Sequence, residues 1–159
     1  MTQTLDREKE QVEALFQRVE TVEEVAEAIE EHEPAQATRL RCVAEDALSN
    51  AQPVRLAIAA QLLALSDRTI RTWVEEGVLA LVAEHPKRVD PSRLHQVLHL
   101  VRELRAAGQQ RDLLSTVWYR LQDAALLDRA DLAKSLQQLR RGDVAPALTK
   151  DEEQALQHQ

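Results

Sequence analysis

The chain has 159 residues and a formal net charge of −7, and 30% of its residues are charged against 44% that are hydrophobic. This balance is typical of a folded domain and excludes a disordered chain. Three glycines and five prolines are too few for a β-sandwich, a β-barrel or a glycine-rich phosphate loop. Because aromatic residues make up only 3%, we expect an all-α fold with a core of Leu, Val, Ile and Ala.

The cellular compartment is indicated by three features. The single cysteine, Cys42, excludes a disulfide framework within the chain and is typical of a reducing environment. No apolar run approaches the length of a membrane span, and the polar, acidic first residues differ from a signal peptide. These features predict a cytoplasmic protein.

The first third of the chain predicts helices separated by short breaks. Apolar residues recur at helical spacing from Val12 to Val19. The sequence Thr21-Val-Glu-Glu24 is typical of a capping box, which would open a helix running to about Glu31. Glu33-Pro34 indicates the start of the next helix, with proline in the first turn. One face of that helix is expected to be apolar: Leu40, Val43, Ala44 and Leu48.

Two shorter helices are predicted after Val54, at about 55–64 and 67–76. They are separated by Leu65-Ser66, and the serine is a natural N-cap for the second helix. The joint before them, residues 49–53, is rich in turn-forming residues and is the candidate domain boundary.

A short two-stranded β-wing is expected near residues 78–90. It is followed by Asp90-Pro91, an N-cap acceptor with proline at the first helical position, which predicts a helix ending before Gly108. A further helix follows, and Asp128 is expected to cap the last helix of the chain.

Residues 57–77 contain the features that a DNA-reading helix-turn-helix requires. Ala59 and Ala60 permit close approach of the two helices, and Ile70 and Trp73, one turn apart, are expected to point inward as anchors. Leu63 and Leu65 complete the apolar set. The residues expected to point outward are polar or charged: Ser66, Asp67, Arg68, Arg71, Thr72 and Glu75.

The outward side chains are of the types that recognise DNA. Arg68 and Arg71, at positions i and i+3, lie on one side of the helix, and arginine can bind guanine edges or phosphates. An ordinary solvated helix in a generic helical hairpin is the alternative interpretation of these two residues.

The segment Ala59-Ala-Gln-Leu-Leu-Ala-Leu-Ser-Asp-Arg-Thr-Ile-Arg-Thr-Trp-Val-Glu-Glu-Gly77-Val-Leu79 resembles the winged helix-turn-helix of the MerR superfamily, especially its excisionase-like branch. That family has an alanine-rich first helix, a Ser-x-x-Thr-Ile/Val start to the recognition helix and a Gly-x-Leu exit into a wing. Lys87-Arg-Val-Asp-Pro-Ser-Arg-Leu94 is similar to the end of its wing and the helix that follows. The resemblance covers about residues 54–95.

The chain departs from the family pattern at two places. Ala64 stands where the family usually has glycine in the turn, and the wing contains Glu84 and Pro86 with few basic residues. Residues 1–52 and 107–159 match no family motif.

The motif and the resemblance together predict a sequence-specific DNA-binding transcriptional regulator, a repressor that acts as a homodimer on double-stranded DNA. A dimer is expected because one such module binds weakly, and the resemblance implies that the long helices after Pro91 supply the interface. The predicted DNA-binding residues are Arg55, Ser66, Arg68, Thr69, Arg71, Thr72, Lys87 and Arg88.

The uneven distribution of charge supports an alternative function. Residues 1–52 contain five basic and 13 acidic side chains, whereas residues 53–106 contain eight basic and six acidic. Acidic N-terminal helices can bind a partner protein with a basic surface, so a protein-interaction module or an antitoxin is the second interpretation.

Four domains follow from these boundaries. They are an acidic helical region at 1–52, the MerR-like module at 53–92, the C-terminal helices at 93–142 and a flexible tail at 143–159.

Other candidate sites have weaker support. His95 and His99 have a spacing able to share a metal, but no nearby residue completes a ligand set, and a solvated helix flank is the favoured interpretation. Trp118 is expected in the core with Tyr119 at its edge, and Cys42 is expected to be half-buried and unreactive. No phosphate loop, nucleophile elbow or zinc signature is present. We therefore expect neither enzymatic activity nor a cofactor or metal.

Overall fold

The computed structural model describes residues 2–141, apart from the side chains of residues 2, 131, 132, 135 and 139. The tail predicted at 143–159 lies outside these residues. The fold is mostly helical, as the composition predicts. No helix in the described part of the chain has the length and apolarity needed to cross a membrane. The elements in chain order are α1 (Thr2–Ile29), α2 (Pro34–Ser49), β1 (Val54–Arg55), α3 (Leu56–Leu63), α4 (Asp67–Glu75), β2 (Leu81–Glu84), β3 (Lys87–Val89), α5 (Pro91–Ala106) and α6 (Leu113–Arg141).

Helices α1 and α2 form an antiparallel pair, joined by the short connection at residues 30–33. Small side chains are buried on both helices, at Ala26, Ala37 and Ala44, which permits close approach of the two backbones. Pro34 begins α2 as predicted, since a proline in the first turn loses no helical hydrogen bond.

A three-stranded antiparallel sheet has the strand order β1-β3-β2. Val54 lies opposite Val89, and Arg55 lies opposite Arg88. Strands β2 and β3 form a hairpin in which Glu84 is the partner of Lys87. The hairpin occupies the region where a two-stranded wing is expected, and β1 adds a strand that the sequence analysis does not predict.

The core lies around α3, which packs against α4, α5, α1 and the strands β1 and β3, while α5 also packs against α2. Asp90 begins α5 as predicted, because its carboxylate accepts a hydrogen bond from the Arg93 amide at 3.1 Å. The largest fully buried side chains are all aliphatic, as the composition predicts: Ile58, Leu63, Ile70, Leu79, Leu94, Val19, Val78, Val89, Val97, Val101 and Val117.

Two predicted helix starts are wrong. Thr21 lies inside the continuous helix α1, and its hydroxyl donates to the Gln17 carbonyl at 2.9 Å instead of capping a new helix. Asp128 lies inside α6. Threonine and aspartate can serve either as caps or within a helix, so the residue type alone does not mark a boundary.

Two burial predictions on α2 are also wrong. Cys42 is exposed, and Val43 is 58% exposed. The buried face of α2 is narrower than predicted, because it consists of Ala37, Ala44 and Leu48.

The chain divides into two compact units between Val117 and Trp118. The first contains α1 to α5, the sheet and the first turn of α6. The second contains the rest of α6, where the rings of Trp118 and Tyr119 meet edge-on with centroids 5.3 Å apart. The prediction that Trp118 is a core residue is wrong, because its side chain is 39% exposed.

Candidate nucleic-acid interface

The turn between α3 and α4 has a defined geometry. Ala64 follows α3 in the left-handed conformation, with φ 53° and ψ 46°. The Leu65 amide donates to the Ala60 carbonyl at 2.9 Å, and the Ala64 amide donates to the Gln61 carbonyl at 3.2 Å. This pairing is a Schellman motif, whose left-handed position is usually glycine. The turn therefore has the shape of a glycine turn although the residue is alanine.

The first turn of α4 is closed by Ser66, as predicted. The serine hydroxyl oxygen accepts a hydrogen bond from the Thr69 amide at 3.1 Å and lies 2.7 Å from the Thr69 hydroxyl. Asp67 in the first turn interacts favourably with the positive end of the helix dipole. The hydroxyls of Ser66 and Thr69, two of the predicted DNA ligands, thus bind each other at the start of α4.

The inner face of α4 contains the two predicted anchors. Ile70 is fully buried and Trp73 is 2% exposed, so their predicted inward orientation is confirmed. The Trp73 carbonyl accepts hydrogen bonds from the amides of Val78 and Leu79, at 3.0 and 3.3 Å. These contacts connect the end of α4 to the segment that leads into the hairpin.

The outer face of α4 presents Arg68, Arg71 and Thr72, all exposed. The Thr72 hydroxyl donates to the Arg68 carbonyl at 3.2 Å. Neither guanidinium group has a hydrogen-bond or ion-pair partner among the side chains and backbone that the structure describes. Both are therefore free to bind an anion or an acceptor outside the described chain.

Arg55 and Arg88 form a second group, because the pairing of β1 with β3 places them opposite each other. Both face Glu8 on α1: Glu8 Oε2 lies 3.0 Å from Arg55 Nε and 3.8 Å from a terminal nitrogen of Arg88. Arg88 also donates to the Pro53 carbonyl at 3.0 Å. The structure thus brings these two predicted DNA ligands together, but around a carboxylate of the same chain.

Lys87, the last predicted ligand, is exposed at the start of β3. Its strand partner across the hairpin is Glu84. The exposed cation Lys87 therefore has an acidic residue beside it on the hairpin.

A groove beside α4 was not predicted. It has a volume of about 390 Å³ and lies between Arg68, Thr72 and Trp73 on one side and the residues around the start of α6 on the other. The residues on that second side are Gln110, Asp112, Leu113 and Leu114. The only sequence signal for this segment is the helix break at Gly108, which does not indicate where the chain packs afterwards.

The two histidines considered as a metal pair lie in different surroundings. His95 is buried, with its ring centroid 5.0 Å from that of Phe16 and its Nε2 3.4 Å from Glu23 Oε2. The favoured prediction of a solvated position is therefore wrong for His95. His99 is exposed and lies 3.2 Å from Glu103. Among the side chains that the structure describes, no group of three or more His, Cys, Asp or Glu could hold a metal ion.

Comparison with protein-family models, with curated proteins and with solved structures finds no match to this chain. The functional interpretation therefore depends on the chain's own geometry.

Proposed function

We propose that this protein is a sequence-specific DNA-binding transcriptional regulator in which α4 enters the major groove. One observation supports this most strongly. Ile70 and Trp73 bury one face of α4, while Arg68 and Arg71 on the other face have no partner in the described part of the chain. Helices that bind in a DNA groove have this arrangement, in which one face packs against the protein and the opposite face carries unpaired arginines.

The dimensions of α4 suit this role. An α-helix with its side chains is about 10–12 Å in diameter, which fits the major groove, about 12 Å wide. Arg68 lies in the first turn of the helix and Arg71 at its middle. In helix-turn-helix proteins the N-terminal residues of the recognition helix contact base edges. Glu75 and Glu76 lie at the other end, so they do not have to enter the floor of the groove.

The hairpin of β2 and β3 would serve as the wing. Lys87 is exposed on it and can bind a phosphate, which fixes the protein on the duplex without reading sequence. In this proposal Ser66 and Thr69 act by fixing the start of α4, and Thr72 contacts DNA beside the two arginines.

The proposed regulator acts as a homodimer, because two arginines and a lysine on one module give weak binding and a second copy doubles the contacts. Exposed apolar side chains on α6 support this, since Leu126 and Leu127 are 59% and 65% exposed and a second copy can cover them. Repression follows when such a dimer occupies promoter DNA.

The test is fluorescence anisotropy of the full chain with labelled duplex DNA at several salt concentrations. The double variant Arg68→Ala/Arg71→Ala should lose most of the affinity, and its log–log salt slope should fall by up to about 2 per protomer, because each phosphate contact contributes about 0.9. A matched control removes the same charge from α1, where Arg7→Ala/Arg18→Ala alters two other exposed arginines. The control should bind almost as the wild type does.

Two outcomes would contradict the proposal. Equal losses in the two double variants would show that α4 has no special role. A wild-type protein that binds no DNA at low salt but copurifies with a basic partner would favour the interaction module or antitoxin instead.

A further inference from the structure

A cavity of about 250 Å³ lies within the first compact unit, among the first half of α1, the end of α2 and the junction of β1 with α3. Its polar rim includes Glu8 and Arg88. Its walls are mainly apolar, with contributions from Val12, Leu15, Pro53, Val54, Ile58 and Pro91. We call it the Glu8 cavity. A mostly apolar cavity with a few convergent polar groups is the usual form of a small-molecule site.

The charged groups at the rim are incompletely paired. The distance of 3.8 Å between Glu8 and Arg88 is longer than a hydrogen bond. Arg55 Nε, 3.0 Å from the same carboxylate, is buried and makes no hydrogen bond within the described chain. Two guanidinium groups therefore share one carboxylate, which leaves one positive charge in excess beside an apolar cavity.

We propose that the Glu8 cavity binds a small amphipathic carboxylate, with its carboxyl group on Arg88 and its hydrocarbon part among Val12, Leu15 and Ile58. A second carboxylate would balance the two arginines with two negative charges. The hydrogen bond from Arg88 to the Pro53 carbonyl, 3.0 Å long, holds the guanidinium at the rim in an orientation fixed before binding.

The size of the cavity limits the ligand. A cavity of about 150 Å³ holds benzene, so 250 Å³ corresponds to about ten non-hydrogen atoms by the same proportion. An alkyl carboxylate of eight carbons has this size. A cation of equal length would add to the excess positive charge, and a neutral alcohol would leave it unbalanced, so charge distinguishes the ligand class. The proposal goes beyond the proposed function and does not depend on DNA binding.

The experiment uses octanoate as the probe, with 1-octanol and octylammonium as neutral and cationic probes of the same chain length. Binding to the full chain is measured by isothermal titration calorimetry, and the site is located by changes in amide NMR shifts. Octanoate should bind, and it should shift the amides of residues around the Glu8 cavity. Octanol should bind about tenfold more weakly, because it lacks the charge-assisted hydrogen bond. Octylammonium should not bind.

Two variants test the assignment. Arg88→Gln should weaken octanoate binding about tenfold or more and leave octanol binding unchanged. Lys87→Gln, the matched control on the adjacent residue outside the cavity, should bind octanoate as the wild type does. Ala51→Leu, in the segment that follows α2, should fill part of the cavity and weaken the binding of both octanoate and octanol. This variant tests the site even if Arg88→Gln does not fold.

The proposal is overturned if octanoate does not bind the wild type. It is also overturned if Arg88→Gln and Lys87→Gln bind octanoate equally, or if octylammonium binds as well as octanoate. A failure of DNA binding leaves these measurements unaffected, so the two proposals can fail separately.

Discussion

Glu8 on α1 lies 3.0 Å from Arg55, a residue on the first strand of the sheet and distant in sequence. The same carboxylate faces Arg88 on the neighbouring strand. The acidic N-terminal helix thus neutralises part of the basic charge in the middle third of the chain. Two arginines that the sequence assigns to DNA are held in this contact, whereas Arg68 and Arg71 are not.

Replacing Glu8 should therefore increase DNA binding. Glu8→Gln removes the carboxylate charge, so Arg55 and Arg88 become available to phosphates. We expect tighter binding and a salt slope steeper by up to about 2 per protomer, measured by anisotropy. Glu10→Gln, which alters an exposed acidic residue on the same helix, controls for the change in net charge. If both variants tighten binding equally, Glu8 does not restrain the two arginines.

Trp73 should contribute strongly to stability, because its indole ring is buried under α4. Trp73→Ala should lower the free energy of unfolding by about 3–5 kcal/mol, measured by urea denaturation followed by circular dichroism. Trp118→Ala, at a position 39% exposed, should cost about 1 kcal/mol or less. Similar losses in the two variants would contradict the role of Trp73 as an anchor.

Ala64 should be a site where glycine stabilises the protein. The left-handed backbone at this residue, with φ 53°, is unfavourable for alanine but not for glycine. Ala64→Gly should raise the free energy of unfolding by about 0.5–1 kcal/mol. Ala28→Gly, within α1, should lower it by about 1 kcal/mol. Thermal denaturation of the two variants shows whether each one raises or lowers the stability. If Ala64→Gly also destabilises the protein, the left-handed backbone at Ala64 is not a source of strain.

The N-cap of α4 should matter for stability and for DNA affinity. Ser66→Ala removes the acceptor of the Thr69 amide and should cost about 1 kcal/mol. It should also weaken DNA binding, because the start of α4 is less well fixed. Ser49→Ala is the control, because it removes a serine hydroxyl at the end of α2, where the serine is not an N-cap. The expected order of melting temperatures is wild type, then Ser49→Ala, then Ser66→Ala, and the reverse order of the variants would contradict it.

The ion pair between Glu30 and Arg41 predicts a dependence of stability on pH. Two hydrogen bonds of 3.0 and 2.8 Å from Arg41, together with its positive charge, lower the pKa of Glu30 below its ordinary value of 4.5. A carboxyl group with a lowered pKa stabilises the fold above its unfolded pKa, and this stabilisation is lost as the pH falls through the folded value. Both groups are exposed, so the effect is weakened by salt.

The measurement is the difference in melting temperature between wild type and Glu30→Gln. This difference should be constant from neutral pH down to about pH 5 and should shrink towards zero as the pH falls below the ordinary glutamate pKa. For Glu31→Gln, at the exposed neighbouring residue, the difference in melting temperature from the wild type should not change in this way with pH. A difference that grows on acidification would contradict the expected sign.

The parts of the fold predicted from sequence are those determined by neighbouring residues. The orientation of Ile70 and Trp73 against Arg68 and Arg71 follows from helical periodicity within a single short helix. The cap at Ser66 depends on contacts only three residues away. Such features are visible in a local stretch of sequence.

The features of the fold that the sequence does not predict depend on which elements pack together. His95 is buried because α1 covers it with Phe16, and Arg55 meets Glu8 for the same reason. Neither contact leaves a signal in the local sequence, where a histidine on a helix and an acidic residue in a charged stretch both indicate solvent exposure. The sequence does not predict that α1 continues through Thr21, because threonine is common both at caps and inside helices.

Val54 and Val89 lie opposite each other in adjacent strands, so the segment containing α3, α4 and the hairpin starts and finishes at one place. Its connections to the rest of the protein are therefore close together, which is the geometry that tolerates exchange of an inserted segment. The outward residues of α4 can therefore be varied within this segment while Val54 and Val89 remain paired. A chimera that keeps Val54, Val89 and the buried residues between them, and replaces only the outward residues of α4, would inherit the donor's surface on an unchanged helical support.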